Sequence, residues 1–150
     1  MDEMLINITR GDIPVVIIRP RVIESTYREP YTGWIQGNRV LDPFILSYGK
    51  GLLSEVFADP EAVIDVVPVD MVVNASIAAM AKHGNAANRS ELKVYNLGSS
   101  MANPISVGNI FEYAYDHFKS SPLPDSKENE IGLFRMNFFS SMDSYSSYIH

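Results

Sequence analysis

The chain has 150 residues, 46% of them apolar, with 12 basic and 18 acidic side chains and a net charge of -6. That apolar share supports one core. The acidic balance, without any run of Lys or Arg, argues against a nucleic-acid surface, and the absence of cysteine excludes disulfides, a thiol nucleophile and a cysteine-ligated metal.

No apolar stretch is long enough to span a bilayer, and Met1 is not followed by a signal-peptide pattern. The sequons beginning at Asn7, Asn74 and Asn88 are read as chance matches in the absence of a secretory signal. Residues 1–10 set Met1, Met4, Leu5 and Ile8 at helical spacing, with Asp2 and Glu3 early, Arg10 late and Gly11 after. The stripe begins at the first residue with no cap before it, the pattern expected of a helix entered part-way.

Val15, Val16, Ile17 and Ile18 are consecutive β-branched residues without polar alternation. They predict a strand covered on both faces, as in the middle of a parallel sheet, ended by Pro20. The loop that follows carries Arg21, Ile23, Ser25 and Thr26 away from the strand's carboxyl end, where ligand crevices of open α/β sheets lie. An ordinary loop after a buried strand has the same pattern. Arg19 and Arg21 flank the proline and suit either a phosphate or carboxylate ligand or a surface salt bridge.

Residues 26–51 are rich in Gly, Pro and aromatic side chains, among them Tyr27, Tyr31, Trp34 and Tyr48. They read as a substrate-facing loop with one short helix around residues 40–48, or as a surface lid without a catalytic role. Gly49-Lys50-Gly51 lacks the spacing of an ATP-binding loop and reads as a turn. A short strand is expected within residues 52–57, a turn at Asp59-Pro60, and a second β-branched run over residues 63–67, interrupted by Asp65. Asp70 stands where it would cap the next helix, whose stripe is Val73, Ile77, Met80 and Ala81 and whose end is Lys82-His83-Gly84. Ala75, Ala78 and Ala79 would let that helix approach a sheet closely.

Residues 85–91 read as a polar turn and residues 93–97 as a third strand. Ser106 is placed to cap a helix over residues 107–119 with Ile110, Phe111, Ala114, Tyr115 and Phe118 on its inner face. The recurrence of strand, turn, cap and helix argues for α/β architecture with a mostly parallel sheet. Residues 120–130, with Pro122 and Pro124, read as a linker or domain edge, residues 131–139 as containing a strand, and Ser141 as the start of a helix bearing Met142, Tyr145 and Ile149 on one side.

Chemistry-bearing groups are few. His83, His117 and His150 have no metal-ligand spacing, and there is no Gly-x-Ser-x-Gly elbow and no Gly-rich dinucleotide fingerprint. Nothing ties Tyr27 and Lys50 into a Tyr-x-x-x-Lys unit, and Asp59 and Asp70 have local structural roles. No catalytic or metal-binding residue is assigned.

The words VVIIRPRVIESTYREPYTGWIQG, YGKG, FADPEAVIDVVPVDMVVNASIAA and VYNLGSSMANPISVGNI together resemble the fatty acyl-CoA reductases of plants, the male-sterility-protein-like branch of the extended short-chain dehydrogenase/reductases. The likeness runs from residue 3 to residue 118. It implies an α/β fold, a partial Rossmann-like parallel sheet truncated at both ends. Residues 1–120 would be the C-terminal half of the NAD(P)-binding domain with a substrate-covering loop, and residues 121–150 a linker and the start of a smaller carboxyl-terminal domain.

The resemblance also implies a site. Residues 15–18 would be the sixth strand of the nucleotide-binding sheet, and Pro20 and Ile23 would pass beside the nicotinamide, with the Ile23 N–H donating to its carboxamide. Ser25 and Thr26 would lie near the cofactor phosphates or the acyl thioester, residues 65–70 would close the substrate crevice, and Ser99 and Ser100 would leave the last strand. The implied reaction is NADPH-dependent reduction of long-chain fatty acyl-CoA to the primary alcohol through an aldehyde, with a Tyr proton donor supported by a Lys. The family pattern sets that Lys just ahead of Met1 and the phosphate loop further upstream. The 150 residues alone are therefore expected to be inactive and to associate through an exposed sheet edge. The alternative is a non-catalytic truncated product or a partner-binding protein. Location is left open by the residues, and family members are membrane-associated or plastidial.

Overall fold

The computed structural model describes residues 2–84, 92–124 and 129–149. The expected turn at residues 85–91, and His150, lie outside them. The chain divides into two compact units, Met1–Gln36 with Val66–Ser99, and Gly37–Asp65 with Ser100–His150.

In the first unit, α1 (Asp2–Thr9) precedes β1 (Val16–Pro20). β1 runs parallel to β6 (Lys93–Leu97), in register from Val16 opposite Lys93 to Pro20 opposite Leu97. The β-branched run thus forms the expected strand, which takes in Arg19 and ends at Pro20 as expected, a proline at a strand's last residue breaking little of the ladder. Among the described residues β6 is its one strand partner, and Val16, Ile17 and Ile18 are half-buried rather than covered on both faces.

A short strand, β2 (Val22–Glu24), occupies what reads from the sequence as loop. It pairs in parallel with β5 (Val66–Pro68), with Ile23 opposite Val67. α3 (Val69–His83) follows β5 directly, with Pro68 at its N-cap and no side-chain cap bond. Asp70 is therefore not the cap of this helix.

α3 packs on β1, β2 and β5. Ala79 and His83 are buried and Val72, Ala75 and Ser76 half-buried, whereas the expected stripe residues Val73, Ile77 and Met80 are 51%, 59% and 71% exposed. The helix carries two apolar stripes. The sheet takes the one with small side chains, which permits the closer approach.

The second unit holds α2 (Asp42–Gly49), β3 (Glu55–Phe57), β4 (Val63–Ile64), β7 (Ile105–Ser106), α4 (Val107–Ser120), β8 (Asn137–Phe139) and α5 (Met142–Ile149). β3 pairs with β8 in parallel, and β4 with β7 antiparallel. The run at residues 63–67 is split at Asp65, whose carboxylate accepts the Ser100 N–H at 2.6 Å. Of residues 131–139 only the last three form a strand.

α4 matches its sequence pattern. The Ser106 hydroxyl accepts the Asn109 N–H and the Asn109 side chain accepts the Ser106 N–H, a reciprocal cap. Phe111, Ala114 and Phe118 are buried with Tyr48 and Met136 as the core of this unit. Tyr48 is 1% exposed and donates its hydroxyl proton to the Phe134 carbonyl at 2.7 Å. Burial raises its pKa, with smaller contributions from Tyr115 and Glu112.

Candidate functional site

Ligand crevices in open α/β sheets lie beyond the carboxyl ends of the parallel strands. Here that edge is the passage from Pro20 to Thr26. The Arg21 N–H closes on the Leu97 carbonyl at 3.0 Å, carrying the β1–β6 ladder one residue past β1. The chain then enters β2, fixed residue by residue to β5. Pro20, Ile23 and Ser25 are half-buried, and Thr26 is 4% exposed. All the cofactor-binding residues expected from the sequence fall in this one passage.

Thr26 begins a closed loop. Its N–H donates to the Trp34 carbonyl at 2.9 Å and its carbonyl accepts the Gly33 N–H at 2.9 Å. Its hydroxyl donates to the Tyr31 carbonyl at 2.6 Å and accepts the Trp34 N–H at 3.0 Å. Gly33 completes the turn at φ +80°, in the left-handed region that favours glycine. The Thr26 hydroxyl is thus engaged within the loop, while Ser25 stands beside it.

The same loop is held from α3. One Asp70 oxygen accepts the Tyr27 N–H at 2.9 Å, and the other accepts the N–H groups of Arg28 at 2.9 Å and Glu29 at 3.2 Å. These donors shift the carboxyl down from its ordinary value, the Tyr27 N–H most strongly. Sequence reasoning missed this role because an Asp in a first helical turn shows the same local pattern whether it caps its own helix or reaches a distant loop.

Of the two arginines at the strand exit, Arg19 pairs with Glu3 of α1, Nε to Oε1 at 2.7 Å with a second bond beside it. The salt-bridge alternative therefore holds for Arg19. Arg21 is exposed.

One Tyr-x-x-x-Lys spacing does occur in the chain, Tyr115 to Lys119 on α4, which the sequence reading passed over. Lys119 Nζ lies over the Tyr115 ring, 5.5 Å from its centroid, and the Arg135 guanidinium lies 5.0 Å from the same centroid while pairing with Glu112. Both cations lie over the ring. This is a cation–π cluster on the second unit's surface, not an acid/base pair.

Among the described residues, the first unit carries largely apolar grooves. One of 410 Å³ is walled by Pro14, Val16, Ile18, Ala79, Met80 and His83, and one of 230 Å³ by Ile18, Ala75, Ala78, Lys82, Tyr95 and Leu97. His83 Nε2 and the Tyr95 hydroxyl share a 2.8 Å hydrogen bond. None of Pro20, Ile23, Ser25 and Thr26 lines either groove. Among the described residues no group of three or more His, Asp or Glu is arranged to hold a metal ion, and no helix is long and apolar enough to cross a membrane.

The family described as "Male sterility protein" matches residues 1–76. "Fatty acyl-CoA reductase 2, chloroplastic" of Arabidopsis thaliana is 52% identical over 99% of this chain and 24% of its own length. "Alcohol-forming fatty acyl-CoA reductase" of Simmondsia chinensis is 40% identical over 99% of this chain and 30% of its own length. The chain thus spans about a quarter to a third of these curated relatives. Among solved structures, UDP-glucose 4-epimerase from Bifidobacterium longum, described in complex with NAD+ and UDP, superposes with a TM-score of 0.53 at 18% identity, over 97% of this chain and 45% of that one. The Thermotoga maritima UDP-glucose 4-epimerase gives 0.52 at 20% identity. At these identities the structural likeness speaks for the fold, a Rossmann-like α/β architecture.

Proposed function

We propose that this chain, which belongs to the male-sterility-protein-like family of fatty acyl-CoA reductases, supplies the substrate-side half of a nucleotide-binding reductase domain with residues 1–120 and leads into a smaller domain with residues 121–150. The reaction is NADPH-dependent reduction of a long-chain fatty acyl-CoA to the primary alcohol, carried out by a protein longer than these residues. The observation that carries this reading is the likeness to named reductases along 99% of the chain.

The passage from Pro20 to Thr26 fits one end of the cofactor. Pro20 and Ile23 are apolar and half-buried at the carboxyl edge of parallel strands, which suits the face of a nicotinamide ring. The Ile23 N–H is the donor to its carboxamide, and Ser25 and Thr26 flank the cofactor phosphates or the acyl thioester. With its hydroxyl turned to Tyr31 and Trp34, Thr26 acts by holding the loop in place. The pyrophosphate end has no cradle here, because the 150 residues contain no Gly-rich fingerprint. When bound, the cofactor supplies the hydride that reaches the acyl carbonyl carbon. This chain's part is to orient the ring, shield the reacting carbonyl from water and cover the acyl chain with the aromatic loop.

The proton donor lies elsewhere, since the cations at Tyr115 face its ring. The chain alone is therefore a non-catalytic piece, and its half-buried β1, with Met4, Leu5 and Ile8 exposed on α1, disposes it to associate. A plastid location follows the chloroplastic name of the Arabidopsis relative. Reading the complete coding transcript across Met1 tests the proposal. An in-frame Gly-rich loop and Tyr-x-x-x-Lys upstream is the expected result, and a verified start at Met1 with no longer product overturns it.

A further inference from the structure

Residues 27–34 form an exposed rim directly after the passage at the carboxyl edge, with Tyr27 51% and Tyr31 63% exposed. Loops of this kind, short of buried apolar contacts, sit at the low end of local stability. This one is bonded at both ends: Thr26 ties its base to Tyr31, Gly33 and Trp34, and Asp70 accepts three successive main-chain N–H groups from residues 27–29. A carboxylate accepting several N–H donors forms charge-assisted bonds stronger than neutral ones.

Asp70 stands two residues beyond Pro68, the last residue of β5, and Pro68 is the register partner of Glu24 at the end of β2. Ladder and carboxylate together therefore form one frame, which fixes the backbone from Val22 to Glu29. The Arg28 guanidinium lies 5.1 Å from the centroid of the Tyr27 ring, so fixing these two residues also fixes a cation–aromatic pair at the rim.

We propose that Asp70 is a positioning residue for the acyl-CoA side of the reaction: through the N–H groups of Tyr27, Arg28 and Glu29 it holds the rim in the form that receives the acyl substrate. This rests on the reductase reading above. The side chain touches neither substrate nor cofactor, and its effect reaches them through the backbone. Asp70 makes no side-chain cap bond to α3, so its three bonds to the rim are separable from the capping of its own helix.

The test uses the intact protein with Asp70→Asn and Asp70→Glu. The first keeps the shape and loses the charge, and the second keeps the charge and displaces it by one methylene. Hydrogen exchange at residues 27–29 is expected to quicken by about tenfold or more in Asp70→Asn. The KM for a long-chain acyl-CoA is expected to rise about tenfold while the KM for NADPH stays within about twofold, a split that general loss of stability does not produce. In the 150-residue chain, whose one tryptophan is Trp34, emission reports the same loosening. If Asp70→Asn fails to fold, Asp70→Glu carries the same readouts. Wild-type exchange in both variants overturns the proposal, as does faster exchange with an unchanged acyl-CoA KM. Wild-type protein without turnover overturns the reductase reading and the positioning role with it, and is distinguishable from failure of the clamp alone, in which the wild type turns over and both variants match it.

Discussion

Gly49 sits where the second unit leaves no room for a side chain. A Cβ there would lie 2.5–2.8 Å from the ring carbons of Phe118, which is itself buried. Relief requires moving an aromatic group packed in a core, so Gly49→Ala is expected to destabilise by about 1–3 kcal/mol in thermal denaturation. A variant as stable as the wild type would show that Phe118 has space to turn. Asp70 gives a pH signature of its own. Its folded-state carboxyl is shifted down from its ordinary value by the N–H donors, so the clamp's contribution is complete above the unfolded-state value and is lost as the pH falls through the depressed one. The change in Trp34 emission on acidification is expected at a lower pH than an unperturbed aspartate would give, and it should be absent in Asp70→Asn. A transition in the variant at the same pH would assign it to another group. Glycine within Tyr-Gly-Lys-Gly and aspartate after Pro-Val are both visible in the sequence. What each does depends on a residue far along the chain, and local pattern carries no information about that.

At the scale of elements, legibility follows from how many arrangements a pattern allows. α4 has one apolar face and one cap, so Ser106, Phe111, Ala114 and Phe118 all fall where the spacing sets them. The cap is testable: Ser106→Ala removes the acceptor for the Asn109 N–H and is expected to cost about 1 kcal/mol in denaturant unfolding, whereas an unchanged midpoint would mean that water replaces the hydroxyl at no cost. α3 has two apolar stripes, and the sheet selects the smaller side chains, a choice that only tertiary packing makes. β2 is three residues long, too short for a period to show, and β5 was hidden inside a run that Asp65 divides between the two units. The carboxyl edge of β1 was legible because four β-branched residues followed by proline admit few other readings. The loop that Thr26 and Asp70 close was not.

For the whole molecule, membership of the reductase family and the α/β fold agree, and the division of labour follows from what the residues hold. The chain carries strands β1 and β6 in parallel, the passage from Pro20 to Thr26 and a clamped aromatic rim, but no Gly-rich fingerprint, and its single Tyr-x-x-x-Lys spacing lies in a cation–π cluster. On the function proposed above, these residues orient a reaction whose proton donor lies outside them. The most direct measurement is NADPH oxidation with a long-chain fatty acyl-CoA, with the alcohol product identified, for the purified 150-residue chain and for the complete product of its coding sequence side by side. Alcohol from the complete product and none from the chain alone is the predicted result. Turnover by the chain alone, or none by the complete product, would show that this division of roles is wrong.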